Sequence, residues 1–279
     1  MPRRPRRQRG RRRNHTVGMI LPYSDDIATA IRTRHLQTPI ARVLCYGVDT
    51  PASDVAGALA DAGFDYAPVT RDGEICGYVR RVDLVDCSGP LAAQARPLTA
   101  SRVIAGDTPL AALLPALRNA EFLFVVDGHD IVGIVSPADL NKQPARTYFY
   151  LLVSTLELTL AERTRGFFDD QDKALELLRE SRRERIRERL AAEARDDVVA
   201  DVVAAMDFTD LMNVVKKTEP IRSGFGSYSA GQWEKEVSAP LINLRHDVMH
   251  TVRTLATDAP SSLQRLIGLD DQLRKLLST

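Results

Sequence analysis

The sequence predicts an α+β protein in which a duplicated sheet-forming unit precedes an all-α helical bundle. Two stretches of the first half repeat one plan, and the second half spaces its apolar residues as helices do. A length of 279 residues with 44% hydrophobic content allows each half a core. We expect a basic arm over 1–18, a tandem pair over 19–143 with repeats at about 36–87 and 96–143, and a helical domain over 144–279.

The chain starts with an arginine-rich arm. The stretch "MPRRPRRQRGRRR" holds eight arginines and no acid, whereas the rest of the chain carries 30 basic and 37 acidic groups. Such a segment cannot bury apolar surface, which predicts a disordered tail able to touch phosphate backbones without sequence preference. Two alternatives stay open: an incidental solvated tail, or an over-extended start with Met19 as the true first residue.

The composition predicts a cytoplasmic protein without a membrane segment. No run approaches eighteen apolar residues, and no apolar stretch follows the arginines as in a secretion signal. Cys45, Cys76 and Cys87 form no Cys-x-x-Cys pair and leave one thiol over in any disulfide scheme, which fits a reducing compartment.

Two copies of one plan start 58 residues apart. In each, Asp-Thr-Pro leads into a helix that Thr50 or Thr108 can cap, with proline in the first turn. A short strand, a tight turn at "RDG" or "DGHD" and a second strand follow, ending at an Asp-Leu pair. This pattern indicates an internal duplication.

The β-α-β-β-α plan and its terminal Gly-hydrophobic-hydrophobic-x-x-x-Asp-Leu signature resemble the CBS domain, from about Leu36 to Lys142. The resemblance implies an intramolecular pair whose cleft binds AMP, ADP, ATP or S-adenosylmethionine as a regulatory ligand, with no cofactor required. An alternative is a pair with empty clefts that serves dimerisation, in which the aspartates only cap helices.

The CBS resemblance also implies ligand-binding residues. A hydroxyl three positions before the aspartate contacts phosphate, and the aspartate accepts from ribose hydroxyls. "GIVSPADL" supplies both as Ser136 and Asp139, whereas "GYVRRVDL" keeps Asp83 but has Arg80 in the hydroxyl position. Arginine could pair with a phosphate or crowd the pocket, so the second copy is the preferred site. The base pocket is expected to be walled by Thr38, Ala67 and Pro68.

The second half predicts a bundle of four or five helices. "RTYFYLLVSTLELTLAERTR" reads as one helix, "DKALELLRESRRERIRERLAAEARDD" as a charged helix, and "VVADVVAAMDFTDLMNVVKK" as a helix or a broken pair. After a Gly- and Ser-rich break, a long helix is expected from about Trp233 to Leu255, and "PSSLQRLIGLDDQLRKLL" closes the chain.

The stretch "LRHDVMH" concentrates polar residues on the predicted long helix. Arg245 and His250 would lie about 140° apart around it, whereas His246 and His250 would stack. A zinc site of the His-Glu-x-x-His type needs glutamate where Asp247 stands, and no third ligand is evident, so no metal is predicted.

"RHDVMH", "LELTLAERTR" and "AAMDFTDLMNVV" resemble the HEPN superfamily, which includes metal-independent ribonucleases. The resemblance implies a homodimer that acts on RNA. His250 would move the proton of the ribose 2′-hydroxyl or of the leaving oxygen, and Arg245 would stabilise the charge on phosphorus. His246 or Asp247 would orient these groups, with Glu157 as a helper.

Three functions remain open on sequence. The chain is a ligand-gated RNA-targeting enzyme, a non-enzymatic nucleotide sensor with a catalytically silent helical domain, or a structural dimer with empty clefts. In the second and third, Arg245 forms an ordinary ion pair and His250 is a hydrogen-bonded helix residue.

Overall fold

The computed structural model describes residues 29–195, 201–257 and 259–279. The predicted basic arm over 1–18 and the alternative start at Met19 lie outside the described residues.

In the described part of the chain, eight short strands form two four-stranded sheets, one for each repeat. The strands are β1 (Thr38–Pro39), β2 (Tyr46–Gly47), β3 (Tyr66–Arg71), β4 (Glu74–Arg80), β5 (Arg96–Pro97), β6 (Val103–Ala105), β7 (Leu123–Asp127) and β8 (Asp130–Val135). The sheet orders are β2-β3-β4-β5 and β1-β8-β7-β6. Each sheet contains one parallel pair and an antiparallel hairpin, so the predicted duplication is visible in the topology.

The two repeats exchange an edge strand. β1 lies at the start of the first repeat yet pairs with β8 of the second, with Thr38 opposite Ile134. β5 lies at the start of the second repeat yet pairs with β4 of the first, with Arg96 opposite Tyr78. Thr38 and Arg96 therefore occupy equivalent positions in the two sheets.

The α-helices of the repeats are short, and those of the second half include the long ones. They are α1 (Ala52–Ala62), α2 (Leu110–Leu117), α3 (Gln143–Phe167), α4 (Asp172–Glu176), α5 (Glu180–Arg195), α6 (Phe208–Lys217), α7 (Glu219–Ser223), α8 (Ala230–Gln232), α9 (Ala239–Met249) and α10 (Pro260–Leu277). A π-helix, Trp233–Ser238, joins α8 to α9. The 3₁₀ helices are Thr33–His35, Ile40–Arg42, Arg81–Asp83, Leu91–Ala93, Ala100–Arg102 and Pro137–Asn141. Over residues 29–195, 201–257 and 259–279, no helix has the length and apolar character needed to cross a membrane.

Two expectations about the repeats are corrected. Pro51 and Pro109, not Thr50 and Thr108, are the residues at the helix N-caps, and neither forms a side-chain cap. The helix expected after the first Asp-Leu is only the 3₁₀ turn Arg81–Asp83, whereas the second repeat runs through Pro137–Asn141 into α3. Beyond this turn, Asp86 adopts a left-handed φ of 61°, which a continuing right-handed helix could not contain.

The predicted continuous helix from Trp233 to Leu255 is wrong at both ends. Pro240 has no N–H to donate to the carbonyl of Glu236, and the backbone there forms the π-helix, with its wider hydrogen-bond spacing. The side chain of Gln272 donates to the Glu236 carbonyl instead, with 2.5 Å between Nε2 and the oxygen. α9 ends at Met249, because His250 has extended backbone angles of φ −101° and ψ 95°. The charged segment is likewise two helices, α4 and α5.

The buried apolar residues form three clusters. The largest runs from the second repeat into the helical half and contains Leu114, Tyr148 and Trp233. The first repeat has its own small core, which includes Leu59 and Val79. The third cluster is aromatic: Tyr78, Phe122 and Phe124.

Candidate functional site: a cleft between the repeats and a groove in the helical half

A cleft of about 640 Å³ opens between the two sheets. Its volume lies within the roughly 300–1,000 Å³ of small-ligand sites. Four residues singled out in the sequence meet there: Thr38, Pro68, Ser136 and Asp139. One lining residue, Pro260, comes from the first turn of α10 in the helical half.

The carboxylate of Asp139 is held firmly although it is 8% exposed. Oδ2 accepts from the Ser136 N–H at 2.7 Å and from the Ser136 hydroxyl at 3.0 Å. Oδ1 lies 2.6 Å from Lys142 Nζ and 3.5 Å from the Thr38 hydroxyl. A buried carboxylate with such partners is held in one orientation. The two hydroxyls that surround it belong to residues lining the cleft, so they can turn towards a ligand.

Apolar and aromatic side chains line the rest of the cleft. Phe64 and Leu44 line it while half exposed to solvent. The Tyr66 ring lies 5.0 Å from that of Phe122. Burial, together with a hydrogen bond from the Tyr66 hydroxyl to Glu121, raises the pKa of Tyr66 to about 12. A flat heteroaromatic ring could stack on such surfaces.

The equivalent aspartate of the first repeat is closed off by arginines. Arg80 binds Asp83 with two bonds, Nε to Oδ2 at 2.8 Å and Nη2 to Oδ1 at 2.5 Å. Arg96 Nε adds a third at 2.9 Å. The bonds from Arg80, more than those from Arg96, lower the pKa of Asp83 to about 2. Neither Arg80 nor Asp83 lines the cleft.

Ala67 is also outside the cleft. It is fully buried in the first repeat's core, although its neighbour Pro68 lines the cleft. Successive strand residues point to opposite faces, so these two neighbours could not both wall one pocket.

A much smaller groove, of about 90 Å³, lies between α3 and α9. It brings together Arg245 and Glu157, with 3.7 Å between Nη2 and Oε2. Burial raises the pKa of Glu157, and the nearby Arg245 opposes that rise. This volume is too small for a nucleotide.

The other motif residues lie around the end of α9. His250 is exposed beyond the helix and does not line the groove, but its ring lies 4.3 Å from that of His246. Desolvation and the neighbouring Arg253 and His250 lower the pKa of His246. Asp247 is engaged by arginines, at 3.4 Å from Arg253 and 3.7 Å from Arg265. Within the described part of the chain, no three His, Cys, Asp or Glu side chains are placed to share a metal ion.

The comparisons with known proteins identify one family. Residues 37–89 match the family model of the CBS domain, which confirms the CBS interpretation for the first repeat. No curated protein matches the chain. The chain contains a CBS domain within a mixed α+β fold.

Several solved structures are similar over the N-terminal part. The CBS domain of a bacterial CNNM/CorC family Mg²⁺ transporter in complex with ATP is 19% identical, covering 42% of this chain and 89% of that one, with a TM-score of 0.37. CBSX2 in complex with AMP is 18% identical over 39% and 92%, with a TM-score of 0.36. A hemolysin-like protein of Oenococcus oeni PSU that contains a CBS domain is 15% identical over 43% and 96%, with a TM-score of 0.35.

Sequence reasoning missed three residues around the two aspartates. Lys142 pairs with Asp139 and stands three positions after it, a spacing that could have been noticed. Arg96 could have been found only by aligning the edge strands of the two repeats. Pro260 carries no signal, because 121 residues separate it from Asp139.

Proposed function

We propose that this protein is a regulatory protein that binds an adenine nucleotide in the cleft between its repeats. One observation carries the proposal: a fixed carboxylate, Asp139, with the hydroxyls of Thr38 and Ser136 beside it, borders a cleft of nucleotide size. A carboxylate with neighbouring hydroxyls matches a ribose, whose two hydroxyls donate as a pair.

Each group around the cleft has a role in this proposal. Asp139 accepts from the ribose hydroxyls, the Ser136 hydroxyl donates to a phosphate oxygen, and the base packs against Pro68 and the neighbouring aromatic rings. Among residues 29–195, 201–257 and 259–279, the charged groups that line the cleft are the guanidinium of Arg42 and the carboxylates of Asp65, Glu121 and Asp139. Because added phosphates bring added negative charge, we expect AMP and S-adenosylmethionine to bind more tightly than ATP.

The test is isothermal titration of AMP, ADP, ATP and S-adenosylmethionine, with thermal shift in parallel. Asp139→Asn removes the charge and is expected to weaken binding about 10- to 100-fold, the range for hydrogen bonds to charged groups. Asp130→Asn is the matched control, because Asp130 is exposed on β8 of the same sheet. Absence of binding by all four ligands at millimolar concentration would contradict the proposal.

A second candidate function is metal-independent RNA cleavage by a homodimer of the helical half. The exposed surface around α9 favours it: Arg245 lies in an open groove with Glu157, and His250 with His246 is accessible at the end of the same helix. His250 would transfer the 2′-hydroxyl proton while Arg245 stabilises charge on phosphorus. A dimer axis near α9 would bring in the second copy's histidine.

Structured RNA incubated in EDTA tests this candidate, with mass spectrometry for a 2′,3′-cyclic phosphate end. His250→Ala should lose cleavage, and His129→Ala, which alters an exposed histidine in the β7–β8 turn, should keep it. Equal cleavage by both variants would remove His250 from the chemistry. If the wild-type protein cleaves nothing and sediments as a monomer, the helical half is a catalytically silent module.

A further inference from the structure

Residues 250–257, which follow α9 and are here called the α9 tail, are tied to the turn that carries Asp139. We propose that the α9 tail senses the occupancy of the cleft and transmits it to the end of α9. This inference rests on the proposed nucleotide binding and adds the route by which the helical half responds.

Asn141 is the first connection. It ends the 3₁₀ helix Pro137–Asn141, two residues after Asp139. Its Oδ1 accepts from the N–H groups of Leu255 and Ala256 at 2.8 and 3.2 Å, and its Nδ2 donates to the Ala256 carbonyl at 2.7 Å. One amide thus satisfies three backbone groups of the tail, so a shift of the turn moves the tail as well.

Arg146 is the second connection. It is 4% exposed and stands in the first turn of α3, directly after the Asp139 turn. Its guanidinium donates to the carbonyls of Asp247 at 2.8 Å, His250 at 3.5 Å and Arg253. Its Nε donates to the Asn141 carbonyl at 3.3 Å. A guanidinium that donates to a carbonyl in the last turn of α9 and to carbonyls just beyond it holds the end of that helix in place.

Pro260 is the third connection, and it links the helical half directly to the cleft. It begins α10 and lines the cleft itself. A ligand in the cleft therefore lies between the Asp139 turn on one side and the first residue of α10, three positions after the end of the tail, on the other.

The tail is suited to open and close. Only Leu255 and Ala256 are buried among residues 250–257, and Val252 is 95% exposed. Segments with few buried apolar contacts open at low free-energy cost. A nucleotide that fixes the Asp139 turn would favour the closed tail, and this would change the exposure of His246 and His250 at the end of α9.

Reciprocity makes the proposal testable without a known partner. If AMP stabilises the closed tail, then a change that loosens the tail must weaken AMP binding, up to the factor by which AMP prefers the closed tail. Asn141→Ala removes the bonds to Leu255 and Ala256 but alters no residue lining the cleft. Asn243→Ala is the matched control, because Asn243 is exposed on α9.

The experiment combines AMP titration with hydrogen exchange on the full chain. AMP should slow amide exchange at Leu255 and Ala256 in the wild-type protein and in Asn243→Ala. In Asn141→Ala that protection should disappear, and AMP affinity should fall about five-fold or more, the lower range of allosteric coupling. Asn141→Asp keeps the acceptor oxygen and should show an intermediate effect, which covers the case in which the alanine variant does not fold.

Two results would overturn the coupling while leaving nucleotide binding intact. In one, AMP binds the wild-type protein but tail exchange is unchanged. In the other, each Asn141 variant that folds binds AMP with an affinity within two-fold of wild type, and AMP still slows amide exchange at Leu255 and Ala256. If AMP and the other three ligands all fail to bind the wild-type protein, the proposed function itself fails and the coupling fails with it.

Discussion

The two repeats share one topology but treat their aspartates in opposite ways. Asp139 borders an open cleft and is surrounded by two hydroxyls and Lys142. Asp83 is held between Arg80 and Arg96, and the three form a closed cluster outside the cleft. The same backbone therefore supports one candidate binding site and one internal ion-pair cluster.

Sheet register and spacing identify two positions at which the surroundings of the two aspartates differ. Thr38 and Arg96 stand at equivalent edge-strand positions, and Ser136 and Arg80 each stand three residues before the aspartate. Both hydroxyl residues beside Asp139 are replaced by arginines beside Asp83. A guanidinium fills space and takes both carboxylate oxygens, which a hydroxyl cannot do. In this duplicated fold, the residues around the aspartate decide whether a ligand can reach it.

Converting the open site into the closed one should have the largest effect. Thr38→Arg with Ser136→Arg is expected to pair Asp139 internally and to abolish detectable AMP binding while the fold is kept. Titration measures binding, and circular dichroism checks folding. Unchanged AMP affinity in the folded double variant would place the ligand away from Asp139.

The reverse exchange should open a second site. Arg80→Ser with Arg96→Thr removes both arginine partners of Asp83 and should raise the number of AMP molecules bound per chain from one to two. The second molecule should bind more weakly, because Arg102 still lies over the Tyr78 and Phe122 rings. Titration stoichiometry gives the answer. A value that stays at one would mean that Arg102 or the backbone also closes the first site.

Breaking the closed cluster should lower stability by a smaller amount. Asp83→Asn leaves two partly exposed arginines without their charged partner, so we expect the melting temperature to fall by about 2–4 °C. Calorimetry of this variant beside Asp61→Asn, an exposed change on α1 of the same repeat, separates the cluster from a general charge effect. Equal melting temperatures for the two variants would show that the cluster adds no stability.

The smallest expected effect is a dependence on pH. The pKa of Asp83 is lowered from 3.8 to about 2, so its pairing stabilises the folded state fully above the ordinary carboxyl range. That contribution is lost as the pH falls from about 4 towards 2, because the folded protein must then protonate Asp83. The stability difference between wild type and Asp83→Asn should therefore shrink over this interval, as measured by denaturant titrations at several pH values. A difference that stays constant down to pH 2 would contradict the assigned pairing.

Local patterns predicted much of the fold and part of the candidate site. The repeated Asp-Thr-Pro and Asp-Leu signals located the hairpin strands β3, β4, β7 and β8 and the helices α1 and α2, because turn and strand preferences act over a few residues. Ser136, Asp139, Thr38 and Pro68 do meet at one cleft. Ala67 was placed on the wrong face, although strand alternation could have separated it from Pro68.

Helix ends and long-range partners were beyond local patterns. α9 ends at Met249, where Arg146, about a hundred residues earlier in the chain, donates a hydrogen bond to the carbonyl of Asp247. The helical spacing of apolar residues predicted that the helix continues to Leu255, because this spacing contains no information about a distant donor such as Arg146. His250 for this reason lies beyond the helix that was expected to carry it.

The amino-acid sequence by itself determined the duplication, the helical character of the second half and the aspartate of each repeat, because these follow from short-range preferences and spacing. Only the tertiary structure decided that one aspartate borders a cleft and the other is paired, that the repeats exchange edge strands, and that Asn141, Arg146 and Pro260 join the cleft to the helical half. The physical reason is that these contacts join residues up to 115 positions apart, and their partners become defined only when the sheets and helices pack.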